Sequence, residues 1–307
     1  MSLLSRRVLA VAVLAVAHVV APAASAAPFQ AAYAPRVGQH AEIRMRKCQD
    51  ATENGQAPTH HCATFVYDEE IVAAVRDGYR IRYTARAVEG AGTPAQNQAV
   101  LAQLQAAPLD VVADASGTPI AFQDRAEFFA HLRAALPQDD PAAVNATMNL
   151  FARMDDRTAV TTFSKDFAPL SAFQGLDAAE VGTPESRGVS APFPLLPSQP
   201  VDGTQTFALD SVDAHAGTAA AHFETTYSAE SLTRAIAALR ASVAGQGRAM
   251  PSNLEVRMSE RSDGVIDIAT GAVKHVHNVR TADVVQDTTQ LMHRVDTLDL
   301  DRRVISR

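Results

Sequence analysis

The strongest constraint in this sequence is a two-residue alternation that recurs along its length. In residues 41–47 the apolar Ala41, Ile43 and Met45 alternate with the charged Glu42, Arg44 and Arg46, and in residues 79–86 Tyr79, Ile81, Tyr83 and Ala85 alternate with Arg80, Arg82, Thr84 and Arg86. Leu254, Val256 and Met258 repeat the pattern against Glu255, Arg257 and Ser259. Successive strand side chains point to opposite faces, so each stretch reads as a strand with one face in a core and one in water, the habit of antiparallel sheets. A content of 47% hydrophobic and 20% charged residues over 307 positions is that of a globular protein, and excludes collagen-like, coiled-coil and wholly disordered chains.

Residues 1–26 read as an export signal. Arg6 and Arg7 precede the apolar run 8–20, and Ala24-Ser25-Ala26 supplies the small-x-small site for signal peptidase. The run is too short to span a bilayer. Ser5-Arg6-Arg7-Val8-Leu9 also resembles the twin-arginine pattern, so the route of export stays open. The expectation is a soluble periplasmic or secreted protein cut near Ala26. Loss of two arginines and no acid would take the formal charge from -7 to -9, which disfavours nucleic acid and anionic membrane as partners.

Cys48 and Cys62 are separated by a polar stretch with no apolar period. In an oxidising compartment the pair reads as one disulfide clamping the mouth of a long hairpin, stabilising by roughly 3 kcal/mol in the chain-entropy model. The alternative is a metal site of Cys48, His60, His61 and Cys62.

Along the chain, Asp77-Gly78 is a hairpin turn, a helix follows over 95–107, and Asp114-Ala115-Ser116-Gly117 turns between strands at 109–113 and 119–122. Asp124 opens a helix striped by Phe128, Leu132 and Leu136, and Asp140-Pro141 opens another with Val144, Met148 and Phe151 on one face. Five of the sixteen prolines lie in 183–203, which reads as a connector between an N-terminal half, 27–182, and a C-terminal half, 204–307. The second half offers strands at 204–212 and 218–227, a helix capped by Ser228 with Leu232, Ile236, Leu239 and Val243, then strands at 254–258, 265–268, 272–280 and 289–297. Each half follows the order ββαββ, as a pseudo-repeat would.

Three features support a loose resemblance: Asp114-Ala115-Ser116-Gly117 before a strand and helix, Leu196-Pro197 before Val201-Asp202-Gly203-Thr204, and Ser262-Asp263-Gly264 with Thr270-Gly271. In these the chain resembles exported bacterial proteins whose architecture is similar to that of the outer-membrane lipoprotein carriers. The resemblance implies a curved or barrel-like antiparallel sheet with helices on its apolar face, an α+β fold. It carries over no functional residue, and Phe207 stands where those proteins often place Trp.

For chemistry, the sequence lacks Gly-x-Ser-x-Gly, Ser-x-x-Lys, His-Glu-x-x-His, Walker and Gly-x-Gly-x-x-Gly motifs. His275 and His277 share a face of one strand; with a turn centred on Val284, His293 on the next strand would complete a three-imidazole zinc site. The plainer reading is ordinary sheet histidines. Arg44, Arg46, Arg80, Arg82 and Arg86 form a cationic face that suits a phosphate or carboxylate headgroup, or else a solvated face paired with nearby acids. The leading expectation for function is a non-catalytic binding or carrier protein without cofactor. Its apolar or lipid-like ligand would sit between sheet and helices near Phe128, Leu132, Leu232, Ile236 and Leu239. An envelope interaction protein without small ligand is the alternative, and a zinc-dependent enzyme the remote one.

Overall fold

The computed structural model describes residues 29–53, 56–136, 138, 140–193, 196–245, 250 and 253–306, so the expected export signal lies outside the described residues. The N-terminal half runs β1 (Phe29–Ala31), β2 (His40–Glu53), β3 (Thr59–Val75), β4 (Gly78–Glu89), α1 (Pro94–Ala106), β5 (Leu109–Asp114) and β6 (Pro119–Phe122). Four helices follow: α2 (Arg125–Ala135), α3 (Pro141–Ala152), α4 (Asp156–Ser164) and α5 (Ala168–Phe173). The chain continues through β7 (Leu176–Ala179), β8 (Glu185–Phe193), β9 (Leu196–Asp213), β10 (Thr218–Tyr227), α6 (Ala229–Ala244), β11 (Leu254–Asp267), β12 (Val273–Gln286) and β13 (Thr289–Ser306).

Eleven strands form one antiparallel sheet in the order β6-β5-β4-β3-β2-β13-β12-β11-β10-β9-β8, while β1 and β7 pair separately. Two meanders therefore meet where β2 pairs with β13, from Met292 opposite Glu53 to Ser306 opposite His40. β6 and β8 are free edges among the described residues, so the sheet is open and not the closed barrel that the sequence reading allowed.

The alternation does what it predicts. Ala41, Ile43 and Met45 on β2 and Ile81, Tyr83 and Ala85 on β4 are buried, along one face, here termed inner. Ile43, Met45, Ile81, Val111, Ile266, Val276 and Leu300 from the sheet share a core with Phe128 of α2, Val160 of α4, and Leu170 and Phe173 of α5. A second cluster gathers Leu232, Ala235 and Ile236 of α6 with Phe193, Val201, Tyr227 and Val256. Helices start where caps place them: the side chains of Asp124, Asp140 and Ser228 accept from the backbone N–H groups of Glu127, Ala143 and Ser231. Gly264 of β11 lets α5 pack close to the sheet, since a Cβ there would lie 2.7 Å from the Phe173 ring.

The Pro-rich segment 183–203 corrects its reading as a connector. It supplies the edge strand β8 and the start of β9, with Val189 opposite Gly203 and Pro192 opposite Pro200. An edge tolerates proline because one side of the strand needs no donors. Pro194 and Leu195 lie outside the described residues.

Candidate functional site

On the inner face, between the two hydrophobic clusters, lies a half-open cavity of ≈ 770 Å³. Its floor is set by strand register. One row of directly opposed residues runs Gln205, Thr225, Glu260, Arg280, Asp296, Gln49 and His61 across β9, β10, β11, β12, β13, β2 and β3. All seven line the cavity. Four residues in register further along, the corresponding row is Leu209, Ala221, Gly264, Val276, Leu300, Met45 and Phe65, without a polar side chain. The row between is mixed, with Phe207, Phe223, Ser262, Asn278, Leu298, Lys47 and Ala63. The inner face thus changes from apolar to polar over about 13 Å, since residues of one face repeat about 6.6 Å apart along a strand.

The polar row is internally bonded at its centre. Arg280 Nη2 donates to Glu260 Oε2 at 2.8 Å, Asn278 Nδ2 to Glu260 Oε1 at 2.9 Å, and the Tyr227 hydroxyl to Glu260 Oε2 at 3.3 Å. Burial and the neighbouring Glu260 carboxylate push the Tyr227 phenol up to about 12. Burial opposes the charge of Arg280, but Glu260 more than restores it, so the guanidinium stays protonated. Arg294 pairs with Asp296 at 2.9 Å, and Lys47 reaches up to Asp166, between α4 and α5, at 2.8 Å. Gln49 and His61 make no side-chain hydrogen bond among the described residues, so their polar ends are available to a ligand. Beside the row on the sheet stand Phe65, Phe223 and Leu298, and α5 adds Ala168, Pro169 and Ala172 to the lining. Phe223 is fixed by Phe173 and Phe207, with ring centroids at 4.7 and 4.9 Å.

The sequence-predicted residues fare differently. Cys48 and Cys62 are disulfide-bonded, directly opposite each other in the β2–β3 hairpin, as the spacing predicted. The four-ligand metal alternative is corrected by the same hairpin: adjacent strand residues point to opposite faces, so His60 stands beside Cys62 while His61 lines the inner cavity. Donors of Cys48, His60 and Cys62 do lie within 4.8 Å of one another, but the two sulfurs are bonded together.

The three-histidine zinc site is not assembled. β12 and β13 turn at Asp287 and Thr288, not at Val284, so His275 opposes Asp301, His277 opposes Asp299 and His293 opposes Asp283. Each imidazole Nδ1 is within 2.6–2.8 Å of its aspartate, and His293 pairs eight residues along β12 from His275, roughly 26 Å away. Lys274 is also an unpaired bulge residue, which places Val273 and Val276 together in the core and the histidines on the outer face.

The arginine face is largely neutralised. Arg80 forms a bidentate pair with Asp110 at 2.7 and 2.9 Å, Arg82 shares that carboxylate at 2.9 Å, Arg86 binds Asp68 at 2.8 Å, and Arg44 lies 3.6 Å from Glu89. Arg46 instead donates to Cys62 Sγ at 3.8 Å. These guanidiniums do not converge on a headgroup site. Of the expected cavity residues, Phe128 is core, stacked on Phe122 at 4.7 Å, and Leu132 and Leu239 are partly buried against the two clusters. Leu232 and Ile236 do line a second, smaller cavity of ≈ 580 Å³ beneath α6.

No helix among the described residues is long and apolar enough to cross a membrane. No family model and no curated protein matches the chain. Among solved structures it is similar to one of lipid–protein interactions in lipovitellin, at 6% identity over 88% of this chain and 25% of that one, TM-score 0.45. It therefore spans about a quarter of the lipovitellin chain. A lower likeness, TM-score 0.21 at 8% identity over 87% of this chain and 98% of that one, is to Pseudomonas aeruginosa OccK2 (OpdF) in complex with glucuronate. These likenesses are too distant to assign a fold family or a ligand.

Proposed function

We propose that the chain is an exported, non-catalytic carrier of an amphipathic, lipid-like molecule. The observation that supports this most is the inner-face cavity, whose floor joins the mixed row, with Phe223 and Leu298, to a row of seven polar residues in register, beside the main core. A ligand with an apolar body and a polar head matches both zones at once: the body against Phe65, Phe223, Leu298 and Ala172, the head along Arg280, Gln49 and His61. The volume falls in the range of sites that enclose small molecules. Binding of this kind needs no reacting group, only apolar contact and a few placed donors.

The test is titration of the mature protein with a fluorescently labelled single-chain amphiphile. Saturable binding is expected, weakened at least tenfold by Ala172→Trp, which fills the apolar side of the cavity. Absence of saturation, or affinity indifferent to Ala172→Trp, contradicts the carrier. One observation favours a second reading as an envelope interaction protein. The nine-residue edge strand β8 pairs on one side only among the described residues, and an open edge is a site for strand addition. Stoichiometric capture of a second chain along β8, with no amphiphile bound, would favour that reading.

A further inference from the structure

The Cys48–Cys62 disulfide, whose two residues also border the cavity, projects from the outer face, opposite to Lys47, Gln49 and His61 by strand alternation, and it is surrounded unevenly. Arg46, Cys48 and Asp50 alternate along β2, and His60 and Cys62 along β3, with Cys48 opposite Cys62 and Asp50 opposite His60. His60 Nδ1 lies 2.6 Å from Asp50 Oδ1, which fixes the ring so that Nε2 faces Cys62 Sγ at 3.2 Å. Arg46 Nη2 approaches the same sulfur at 3.8 Å. Cys48 Sγ has no such donor among the described residues. Both cysteines are half-buried, and the side chain of His60 beside them is 63% exposed.

A purely structural crosslink requires none of these groups. Two nitrogen groups on one sulfur, one of them a guanidinium, favour that sulfur as thiolate, and a carboxylate–histidine–sulfur line is how proteins orient an imidazole toward a reactive cysteine. The same three donors invite comparison with a metal site in the reduced protein, but a guanidinium beside the sulfur repels a cation and stabilises a bare thiolate. Asp299 stands opposite Arg46 across β13, and it is already engaged by His277 at 2.6 Å.

We propose that Cys48–Cys62 is a thiol–disulfide exchange centre in which Cys62 is the stabilised leaving group. An external thiolate attacks Cys48 Sγ; the new S–S bond joins it to Cys48, the Cys48–Cys62 bond breaks, and its electron pair leaves on Cys62 Sγ, held by His60 and Arg46. A second external thiolate then attacks the first one's sulfur, releasing the oxidised disulfide product and the Cys48 thiolate. In sum, two thiols are oxidised to one disulfide, the protein disulfide is reduced to two thiols, and the two protons pass from the former to the latter. Attack at Cys48 follows because exchange is faster when the better-stabilised sulfur departs. The substrate class is an accessible thiol, small or on an unfolded peptide.

The experiment equilibrates the mature protein in buffers of graded reduced and oxidised glutathione, then quenches with acid and reads the reduced fraction by maleimide gel shift. Removing the groups that stabilise the thiolate should make the disulfide harder to reduce. His60→Ala and Arg46→Gln are each expected to raise the glutathione ratio for half-reduction by roughly tenfold, and Asp50→Asn by less. Ratios unchanged in both of the first two variants overturn the proposal. A second readout needs no intact disulfide: Cys48→Ser leaves Cys62 alone, and Cys62→Ser leaves Cys48 alone. Cys62 should react with an aromatic disulfide at pH 6 roughly tenfold faster than Cys48, and lose that advantage with His60→Ala. Equal rates overturn the proposal.

Discussion

The inner face carries two glutamate–arginine pairs of the same chemistry in different surroundings. Glu69 and Arg302 meet at 2.5 Å, each 2% exposed, inside the core among Ile43, Tyr83 and Ile71. Glu260 and Arg280 meet at 2.8 Å with side chains 20% and 40% exposed, at the floor of the cavity. Both lie on strands next to apolar neighbours, so side-chain type alone does not distinguish them. What differs is the cover: the first pair is closed over with the main core, while the second lies in the gap between the two clusters. A buried pair is held by its own partner and is costly to break, whereas a pair at a half-open floor keeps polar capacity for something else.

The largest effect should come from breaking the covered pair. Glu69→Ala leaves the Arg302 charge buried without its partner and is expected to cost about 3–5 kcal/mol, read by chemical denaturation. Replacing both residues with apolar ones of similar volume should recover most of that loss. If Glu69→Ala costs no more than the equivalent change at Glu260, the contrast between the pairs fails. Next in size is Gly264→Ala, which drives a methyl into the Phe173 ring and should cost about 1–3 kcal/mol. Phe173→Leu in the same chain should relieve part of it, a coupling measurable by a double-mutant cycle.

Breaking the open pair should move binding more than stability. Glu260→Gln removes the negative charge opposite Arg280 and replaces one of the two oxygens that accept from Arg280, Asn278 and Tyr227 with a donor, at about 1 kcal/mol of stability, and should weaken amphiphile binding severalfold. Unchanged affinity would separate the polar row from the ligand.

The smallest expected effect lies on the outer face. Burial pushes the pKa of Asp110 up, but the hydrogen bonds of Arg80 and Arg82 outweigh it and hold the carboxyl below its usual value of 3.8. A carboxyl depressed in the folded state contributes stability above its unfolded value and loses it as pH falls through the folded one. Acid denaturation below about pH 4 should therefore be shallower in Asp110→Asn, by less than about 1 kcal/mol for a pair of this exposure. An identical acid profile would show the pair to be thermodynamically silent.

Much of the architecture was legible because it is local. Alternation identified β2, β4 and β11, Asp124, Asp140 and Ser228 marked three helix starts, and two cysteines fixed the β2–β3 hairpin. Failures arose where long-range register decides. Asp287 adopts φ 55 in the β12–β13 turn, three residues past the centre assumed from the histidines, and with the bulge at Lys274 that moved every histidine pairing. The short α4 and α5 escaped notice because nine and six residues hold too little periodicity, and α5 has no side-chain cap. The polar row was invisible for the same reason as the zinc site was illusory: its seven residues come from seven strands, and only pairing brings them into line. By contrast, Arg46, Cys48 and Asp50 facing His60 and Cys62 follows from alternation once the disulfide pins the register.

The central claim is that the graded inner face holds an amphipathic molecule. Native mass spectrometry of the mature protein, before and after extraction with organic solvent, tests it most directly. The account predicts an adduct that extraction removes, and that is diminished in Ala172→Trp while the disulfide and the fold persist. A folded, disulfide-bonded protein that carries no adduct and takes up no added single-chain amphiphile would contradict it.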